Sequence, residues 1–386
     1  MKISKKSKDI QPSLTRQLFN MAKNYNDVID LTLGDPDLAP PVEIKKAACR
    51  AIENNLTHYS ANAGLLQARE AIAKHIYENW KVYCDPNKNV SITVGGMQAL
   101  YMALLSIVEE GDEVIVFAPY YPNYIQMIKM CGGTPIVINA YEENRGFVFE
   151  ERDIEKHITE KTVAIIINSP NNPTGAILTK KTLKMIAGIA KKHDLIIISD
   201  EVYRTLVYGG KKSDSILQIN DAKERTVLID SLSKEYSMTG WRIGYAYGPE
   251  EIISSMIKFQ ENIAACVPLP SQYALIEAYE SNIGNEYIVS EFEKRRNIIC
   301  ELLGNNDTLS FVKPDGTFYL FVNVKSSKMK SLDFALKLLE KKHVAVVPGI
   351  TYGNDYDDYI RIAFTKDASI LAEASRKINE FCCELG

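Results

Sequence analysis

The stretch TVLIDSLSKEYSMTGWRIGY (226–245) places one lysine, Lys234, shortly after a run of apolar residues. The run TVLID has the composition of a strand that is buried on both faces of a sheet. A lysine near the end of such a strand is shielded from water, which favours its neutral, nucleophilic amine. A lysine that extends into solvent is the simpler interpretation of the same pattern.

Short β-branched segments of this kind recur along the first two thirds of the chain. The predicted strands are VSITV (90–94), EVIVFA (113–118), TPIVINA (134–140), VAIIIN (163–168), LIIISD (195–200), TVLID (226–230) and IGYAYG (243–248). Helical periodicity lies between several of them, as in residues 98–108 and 179–193. Such alternation predicts an α/β domain with a mainly parallel, seven-stranded sheet flanked by helices.

After residue 250 the pattern changes. A helical region reaches residue 303 and is interrupted by Pro268 and Pro270. Further segments then predict strands at 316–324, 344–348 and 359–364, a helix at 331–342 and a final helix. This order is typical of a smaller α+β domain. We therefore predict a large domain over residues 46–285 and a small domain that combines residues 1–45 with residues 286–386.

Composition and charge exclude several classes of function. The chain of 386 residues has a net charge of −4, which gives no electrostatic basis for binding nucleic acid or an anionic membrane. Its apolar runs are shorter than a membrane-spanning helix requires. The N-terminus lacks the apolar core of a secretory signal, and the seven cysteines and five histidines are scattered. We expect a cytoplasmic protein with reduced thiols and no metal site.

Ligands of open α/β sheets bind at the carboxyl ends of the strands, so the residues that follow each strand are informative. Gly95 and Gly96 follow the first strand and open a helix, either as a plain turn or as a cradle for an anion. Tyr121 follows the second strand and either packs or stacks on a flat ligand. Asn172 lies in a rigid turn, and Asp200 is a buried carboxylate that needs a cation, a donor or a helix to cap.

Together these groups match pyridoxal phosphate. The cofactor has an aldehyde for Lys234, a ring nitrogen for Asp200 and a phenolic oxygen for Asn172 and Tyr203. Its phosphate would meet residues 96–98, Ser231 and Arg242. Nicotinamide cofactors fit less well because the chain has no GxGxxG motif, and a P-loop is absent.

Longer motifs carry a family resemblance. The segments SLSKEYSMTGWRIGY (231–245), NSPNNPTG (168–175), SDEVYRTLVY (199–208) and IRIAF (360–364) resemble the class I/II aminotransferases of pyridoxal-phosphate fold type I. LTLGDPDL (31–38), THYSANAGLLQARE (57–70) and VPGITYG (347–353) match as well. The resemblance spans essentially the whole chain and is strongest to the prokaryotic aspartate and aromatic aminotransferases.

The resemblance implies roles for individual residues. Lys234 forms the internal aldimine and moves the proton between the substrate Cα and the cofactor, Asp200 keeps the pyridine nitrogen protonated, and Tyr203 bonds the phenolic oxygen. The further implied cofactor contacts are Gly96, Met97, Gln98, Tyr121, Asn172, Val202, Ser231, Ser233 and Arg242. Gly34, Asn172 and Arg361 bind the substrate, with Arg361 clamping its α-carboxylate. Tyr59 reaches the phosphate of a neighbouring subunit, which implies a homodimer with shared active sites.

Substrate choice is where the resemblance is least direct. The similar aspartate enzymes carry a lysine for the distal carboxylate at the position of Met97, within GGMQAL (95–100). A thioether suits an apolar or aromatic side chain better, although Arg16 is a possible substitute cation. We therefore predict a ping-pong aminotransferase with an apolar-leaning amino donor and 2-oxoglutarate as acceptor. A lyase or synthase on the same scaffold is the alternative.

Overall fold

The computed structural model describes residues 2–143 and 146–385. The α-helices of the described residues are α1 (Lys5–Asp9), α2 (Leu14–Ala22), α3 (Val42–Glu53), α4 (Leu66–Trp80), α5 (Gly95–Ile107), α6 (Asn123–Met130), α7 (Glu151–Glu155), α8 (Lys180–Lys192), α9 (Leu232–Glu235), α10 (Glu250–Ala264), α11 (Leu269–Glu280), α12 (Glu286–Leu303), α13 (Ser331–Lys342) and α14 (Ala368–Cys383). The strands are β1 (Ile29–Asp30), β2 (Val90–Thr93), β3 (Glu113–Ala118), β4 (Thr134–Asn139), β5 (Tyr141–Glu143), β6 (Gly146–Val148), β7 (Thr162–Asn168), β8 (Ile196–Asp200), β9 (Thr226–Ser231), β10 (Gly244–Tyr247), β11 (Ser310–Phe311), β12 (Tyr319–Asn323), β13 (Val344–Ala345), β14 (Val347–Pro348) and β15 (Tyr359–Ala363).

The larger sheet contains all seven predicted strands, and each bound differs from its prediction by at most one residue. Their order is β2-β10-β9-β8-β7-β3-β4. β10 runs antiparallel to both of its neighbours, and the pairs from β9 to β4 are parallel. The predicted α/β class with a mainly parallel sheet is confirmed.

Alternate residues of the central strands pack on opposite faces of this sheet, as the period of a strand requires. In β3, Val114 and Val116 contact the core beneath α5 and α10, whereas Ile115 contacts the core beneath α8. Both faces are therefore apolar, which explains why these strands read as continuous runs of valine and isoleucine.

The smaller sheet has the order β11-β12-β15-β14 and is antiparallel. The strand predicted at 316–324 begins only at Tyr319, because Thr317 adopts a φ of 61°, which interrupts extended backbone. The segment predicted as one strand at 344–348 forms two short strands with different partners. β13 pairs in parallel with β1, and β14 pairs antiparallel with β15.

The helical region after residue 250 consists of α10, α11 and α12. Pro268 caps α11 and Pro270 lies in its first turn, where a proline costs little because the amide there needs no intrahelical partner. The helical region is therefore interrupted between Ala264 and Leu269, as predicted, and the two prolines mark the start of the helix that follows the break.

The N-terminal segment joins the small sheet unit through the pairing of β1 with β13. Helix α3 begins at Val42, before the predicted boundary at residue 46, and packs against α11 through Ile44 and Ala48. The division into two domains stays a prediction, and its terminal residues 1 and 386 lie outside the described residues. Across the described parts of the chain, every helix is too short or too polar to cross a membrane.

Two glycines are expected to respond oppositely to the same substitution. A Cβ added to Gly244 would lie 2.8 Å from the main chain of Gly95 and Gly96, so Gly244→Ala should push β10 away from α5 and lower the free energy of unfolding by about 1–3 kcal/mol. Gly188 lies inside α8 with open space around it, so Gly188→Ala should raise stability by about 0.5–1 kcal/mol. Urea denaturation measures both, and shifts of equal sign would contradict this packing.

Candidate active site

A cavity of about 570 Å³ opens at the carboxyl ends of β7, β8 and β9. Residues from the N-terminal segment and from the smaller sheet close its other side. The predicted site residues that line it are Gly34, Gly96, Met97, Tyr121, Asn172, Asp200, Val202, Tyr203, Ser231, Ser233, Lys234, Arg242 and Arg361. The fold therefore gathers residues that are more than 300 positions apart in the chain into one site.

Lys234 lies in α9, the one-turn helix that follows β9. Its Nζ donates a hydrogen bond of 2.8 Å to the carbonyl oxygen of Gly34. The pKa of this amine is lowered to about 8, chiefly by burial; Asp35 opposes the shift, and Arg242 and Arg361 contribute to it. A neutral, nucleophilic amine is therefore accessible near physiological pH, as the strand-end position predicts.

Asp200 ends β8 and is deeply buried. The Tyr124 hydroxyl donates a hydrogen bond of 2.6 Å to Oδ2, and the amide of Val202 donates one of 3.4 Å to Oδ1. Burial raises the pKa of this carboxyl to about 6, although both hydrogen bonds act against the rise. A cationic group facing Asp200 from the cavity would restore its ionised form, because an opposite charge lowers a carboxyl pKa.

Arg361 enters the cavity from β15 of the smaller sheet. Its Nη1 donates a hydrogen bond of 3.1 Å to Oδ1 of Asn172, and its Nη2 donates to the carbonyl of Thr32. The guanidinium lies 4.3 Å from the ring centroid of Tyr319. Its buried Nε has no hydrogen-bond partner among the described residues, which leaves a donor for an anionic ligand.

Tyr203 stands on the same wall as Lys234. Its hydroxyl lies 3.1 Å from the hydroxyl of Tyr319, and its ring meets that of Phe318 edge to face. The Lys234 Nζ is 6.0 Å from the centroid of the Tyr203 ring. A planar ligand attached to the amine would therefore have a phenol beside it.

The other end of the cavity has the properties of an anion site. Ser231 caps α9, and its Oγ lies 2.8 Å from Oγ of Ser233. Arg242 adopts a left-handed φ of 53°, and its guanidinium lies so close to the start of α5 that a Cβ on Gly95 would be 2.4 Å from Nη2. The N-terminus of α5 adds its partial positive charge. Two hydroxyls, a guanidinium and a helix terminus thus converge on one point.

Two of the predicted residues do not line the cavity. Gln98 turns its Oε1 back to accept a hydrogen bond of 2.7 Å from the amide of Val94, so its side chain holds the first turn of α5. Tyr59 is 88% exposed, and its prediction concerns the site of a neighbouring subunit. The contacts predicted for both residues with the cofactor stay predictions.

The structure also adds lining residues that sequence reasoning missed, namely Tyr124, Tyr319, Thr32 and Asp35. Tyr124 lies two residues after Pro122, beyond the strand end that was considered. Thr32 and Asp35 belong to the LTLGDPDL segment, whose match to the family was noted without roles for these positions. Tyr319 lies inside a predicted strand, where alternation alone does not tell a core residue from a ligand contact.

Met97 lines the cavity beside Tyr121 and Asn123. Its Sδ lies 3.4 Å from the hydroxyl of Tyr121 and 3.8 Å from Nδ2 of Asn123. Arg16, from α2, lines the same cavity. This part of the lining therefore combines a thioether, a phenol and an amide, and α2 of the N-terminal segment contributes the cation of Arg16.

Comparison with known proteins identifies this arrangement. The family model "Aminotransferase class I and II" matches residues 26–378. The chain belongs to the class I and II aminotransferases. It is 37% identical to aromatic-amino-acid aminotransferase 2 of Thermococcus litoralis over 98% of each chain, and 38% identical to an aspartate aminotransferase of Pyrococcus abyssi over 96% of each. The crystal structure of aspartate aminotransferase from Thermotoga maritima superposes with a TM-score of 0.92 at 36% identity, covering 98% of this chain and 99% of that one.

The enzyme is thus an aminotransferase that depends on pyridoxal phosphate. The relatives support aminotransfer and do not support the lyase or synthase alternative. The residues that line the cavity fit the cofactor. They provide an amine of lowered pKa, a carboxyl whose ionised form a facing cation would stabilise, and an anion site at the opposite end.

The amine of Lys234 should react at a lower pH than the exposed lysines of the same enzyme. Acylation of the cofactor-free protein, followed by mass spectrometry, should give a midpoint near pH 8 for Lys234, against about 10.4 for exposed lysines. Asp35→Asn should lower the Lys234 midpoint further, because Asp35 stabilises the ammonium form. A Lys234 midpoint equal to that of the exposed lysines would show that burial does not control this amine.

Proposed function

We propose that the enzyme transfers the amino group of an L-amino acid with an apolar or aromatic side chain to 2-oxoglutarate. The observation that carries this proposal is Met97, a thioether on the cavity wall with Tyr121 and Asn123 beside it. A methionine adapts to apolar and aromatic groups and offers no charge to a distal carboxylate. The relatives include enzymes named for aspartate and for aromatic amino acids, so the donor side chain is the feature that differs among them.

We propose that the residues along the cavity hold the cofactor from both ends. Ser231, Ser233, Arg242 and the first amides of α5 bind the phosphate. Tyr121 and Val202 flank the ring, and Asn172 and Tyr203 bond its phenolic oxygen. The convergence of hydroxyls, guanidinium and helix terminus at one end supports this orientation, because a phosphate gains from each of them.

Pyridoxal phosphate supplies, when bound, an aldehyde that captures amines and a ring that accepts electrons. Lys234 then removes the proton from the substrate Cα and returns it, for which its lowered pKa suits it. Asp200, oriented by the Tyr124 hydroxyl, holds a proton on the ring nitrogen through its ionised carboxylate. The same groups serve both half-reactions, so donor and acceptor bind in turn.

Arg361 binds the α-carboxylate of donor and acceptor alike. Its guanidinium is already oriented by Asn172 and Thr32, and its Nε has no hydrogen-bond partner among the residues that the structure describes. A fixed guanidinium fork binds a carboxylate through two hydrogen bonds, which also sets the direction of the Cα–H bond. Arg16 lies on the N-terminal side of the cavity and is the candidate cation for the distal carboxylate of 2-oxoglutarate.

We further propose a homodimer in the cytoplasm, divided into a large domain over residues 46–285 and a small domain formed by residues 1–45 and 286–386. The Tyr59 ring is 88% exposed, so it is accessible to a partner subunit as this dimer requires. All seven cysteines are free, which supports a reducing compartment.

Donor choice should follow the residue at position 97. The wild-type enzyme should have a higher kcat/KM for phenylalanine than for aspartate. Met97→Lys should raise kcat/KM for aspartate about tenfold or more, because a charge-assisted hydrogen bond to the distal carboxylate is worth about 1.5–3 kcal/mol. Coupled assays with 2-oxoglutarate as acceptor measure both quantities.

Met97→Leu is the matched control, since it keeps an apolar side chain of similar volume. It should leave the ratio of the two donors almost unchanged. A wild-type enzyme that uses aspartate as well as phenylalanine would refute the proposed donor class.

The shared site can be tested with mixed dimers. Lys234→Ala should reduce kcat by about 10²–10⁴-fold through loss of proton transfer. Tyr59→Ala should weaken cofactor binding by roughly 10–100-fold, because one hydrogen bond to the phosphate is lost. Refolding the two variants together at limiting cofactor should restore one intact site in each mixed dimer. If activity does not exceed that of the separate variants, Tyr59 does not serve the neighbouring site.

A further inference from the structure

A cluster of buried charged side chains lies behind the cavity wall and has no part in the chemistry described above. Its charged members are Arg204, Asp230 and Glu235, whose side chains are 9%, 2% and 7% exposed. None of the three lines the cavity. Each of the three is, however, directly adjacent in the chain to a residue that lines the cavity.

Arg204 is the centre of this cluster. Its Nε donates a hydrogen bond of 2.6 Å to Oδ2 of Asp230, and its Nη2 lies 3.6 Å from Oε2 of Glu235. The same Nη2 is 2.5 Å from Nε2 of His75, and the guanidinium lies 5.3 Å from the ring centroid of Trp80. One side chain thus joins the segment after β8, the end of β9, helix α9 and helix α4.

The charges of the cluster depend on this single cation. Burial and the nearby guanidinium lower the pKa of His75 well below its ordinary value, so its ring is neutral and accepts from Arg204. Asp230 also accepts hydrogen bonds from the Tyr245 hydroxyl and the Ser231 amide. Burial raises the pKa of Glu235 to about 7, while Arg204 opposes the rise. Without Arg204, two buried carboxyls would face each other with no cation between them.

The other titratable groups at the cluster are the phenols of Tyr236, Tyr245 and Tyr279 and the buried carboxyl of Glu201, which accepts hydrogen bonds from Ser199 and Ser215. Tyr245 and Tyr279 both face it, and the Tyr279 ring stacks on His75 with centroids 4.1 Å apart. Burial raises the pKa of both phenols well above the ordinary range, so they stay protonated. Arg204 therefore has no substitute cation among these neighbours.

Helix α9 needs outside support because it has only four residues, which is too short to be stable by itself. Its first turn is capped by Ser231, and its carboxyl end receives a hydrogen bond of 3.2 Å from Asn285 to the carbonyl of Glu235. The side chain of Glu235 extends to Arg204 from the same turn that carries Lys234. The position of the Lys234 backbone is therefore tied to Arg204.

We propose that Arg204 is a positioning residue that holds the helix carrying Lys234 at a fixed distance from the segment carrying Asp200 and Tyr203. Arg204 holds this distance by binding Asp230 and Glu235 behind the cavity wall, on the side that faces away from the cavity. The inference rests on the role proposed for Lys234. It adds that the alignment of the amine depends on a residue that touches neither cofactor nor substrate.

The test is Arg204→Met in the holoenzyme, which keeps the length of the side chain and removes the cation. We expect kcat to fall about tenfold to a hundredfold, as for a misplacement of about 1 Å at the reacting groups, with KM changed less than about twofold. The visible absorbance of the cofactor bound at Lys234 should titrate with a midpoint at higher pH, because the uncompensated carboxylate stabilises the protonated form.

Arg225→Met is the matched control. Arg225 precedes the opposite end of β9, where it pairs with Asp194 and bonds the carbonyl of Leu195. This variant should lower the melting temperature less than Arg204→Met, because Asp194 is exposed, and should leave both kcat and the absorbance midpoint unchanged. Arg204→Lys should lie between the wild type and Arg204→Met, because an ammonium keeps the charge and loses the fork.

The double variant Arg204→Met with Glu235→Gln separates positioning from stability. Removing the second carboxyl should restore most of the melting temperature while kcat stays low. If the double variant recovers kcat together with the melting temperature, the proposal is overturned. It is also overturned if the kcat and the absorbance midpoint of Arg204→Met match those of Arg225→Met. If Lys234 does not have the proposed role, the Lys234→Ala enzyme, in which Arg204 is intact, will instead remain active.

Discussion

The removal of the Lys234 amine from water is the constraint on which the site depends. The pKa of this amine is lowered to about 8, chiefly by burial and in smaller part by the cations Arg242 and Arg361. Both arginines line the cavity together with Lys234. A buried amine beside two guanidinium groups is thereby prepared as a nucleophile and a base without a dedicated activating group.

The sheet supports this arrangement through its one reversed strand. β10 runs antiparallel between β2 and β9, so the chain returns from Lys234 to the start of α5 within ten residues. Gly244 and Gly95 allow the backbone of β10 and the guanidinium of Arg242 to approach that helix terminus closely. The guanidinium of Arg242 and the amine of Lys234 are thus positioned by the same short stretch of chain.

The N-terminal segment and the smaller sheet complete the cavity from the other side. Gly34 accepts the hydrogen bond of Lys234, Asp35 accepts one of 2.5 Å from Thr239, and Thr32 accepts from Arg361. Arg361 and Lys234 are therefore linked through a few residues of one loop. Movement of this loop would change both groups together, whereas the charged cluster around Arg204 supports Lys234 from behind.

The sequence by itself determined the seven strands and the residues at their ends, because continuous apolar runs and the polar residues after them are local features. It also determined the family, through motifs such as NSPNNPTG. Only the tertiary structure decided the position of β10, the pairing of Tyr124 with Asp200 and the place of Arg204 behind Lys234. These depend on contacts between distant residues and on desolvation, which exist only once the chain has folded.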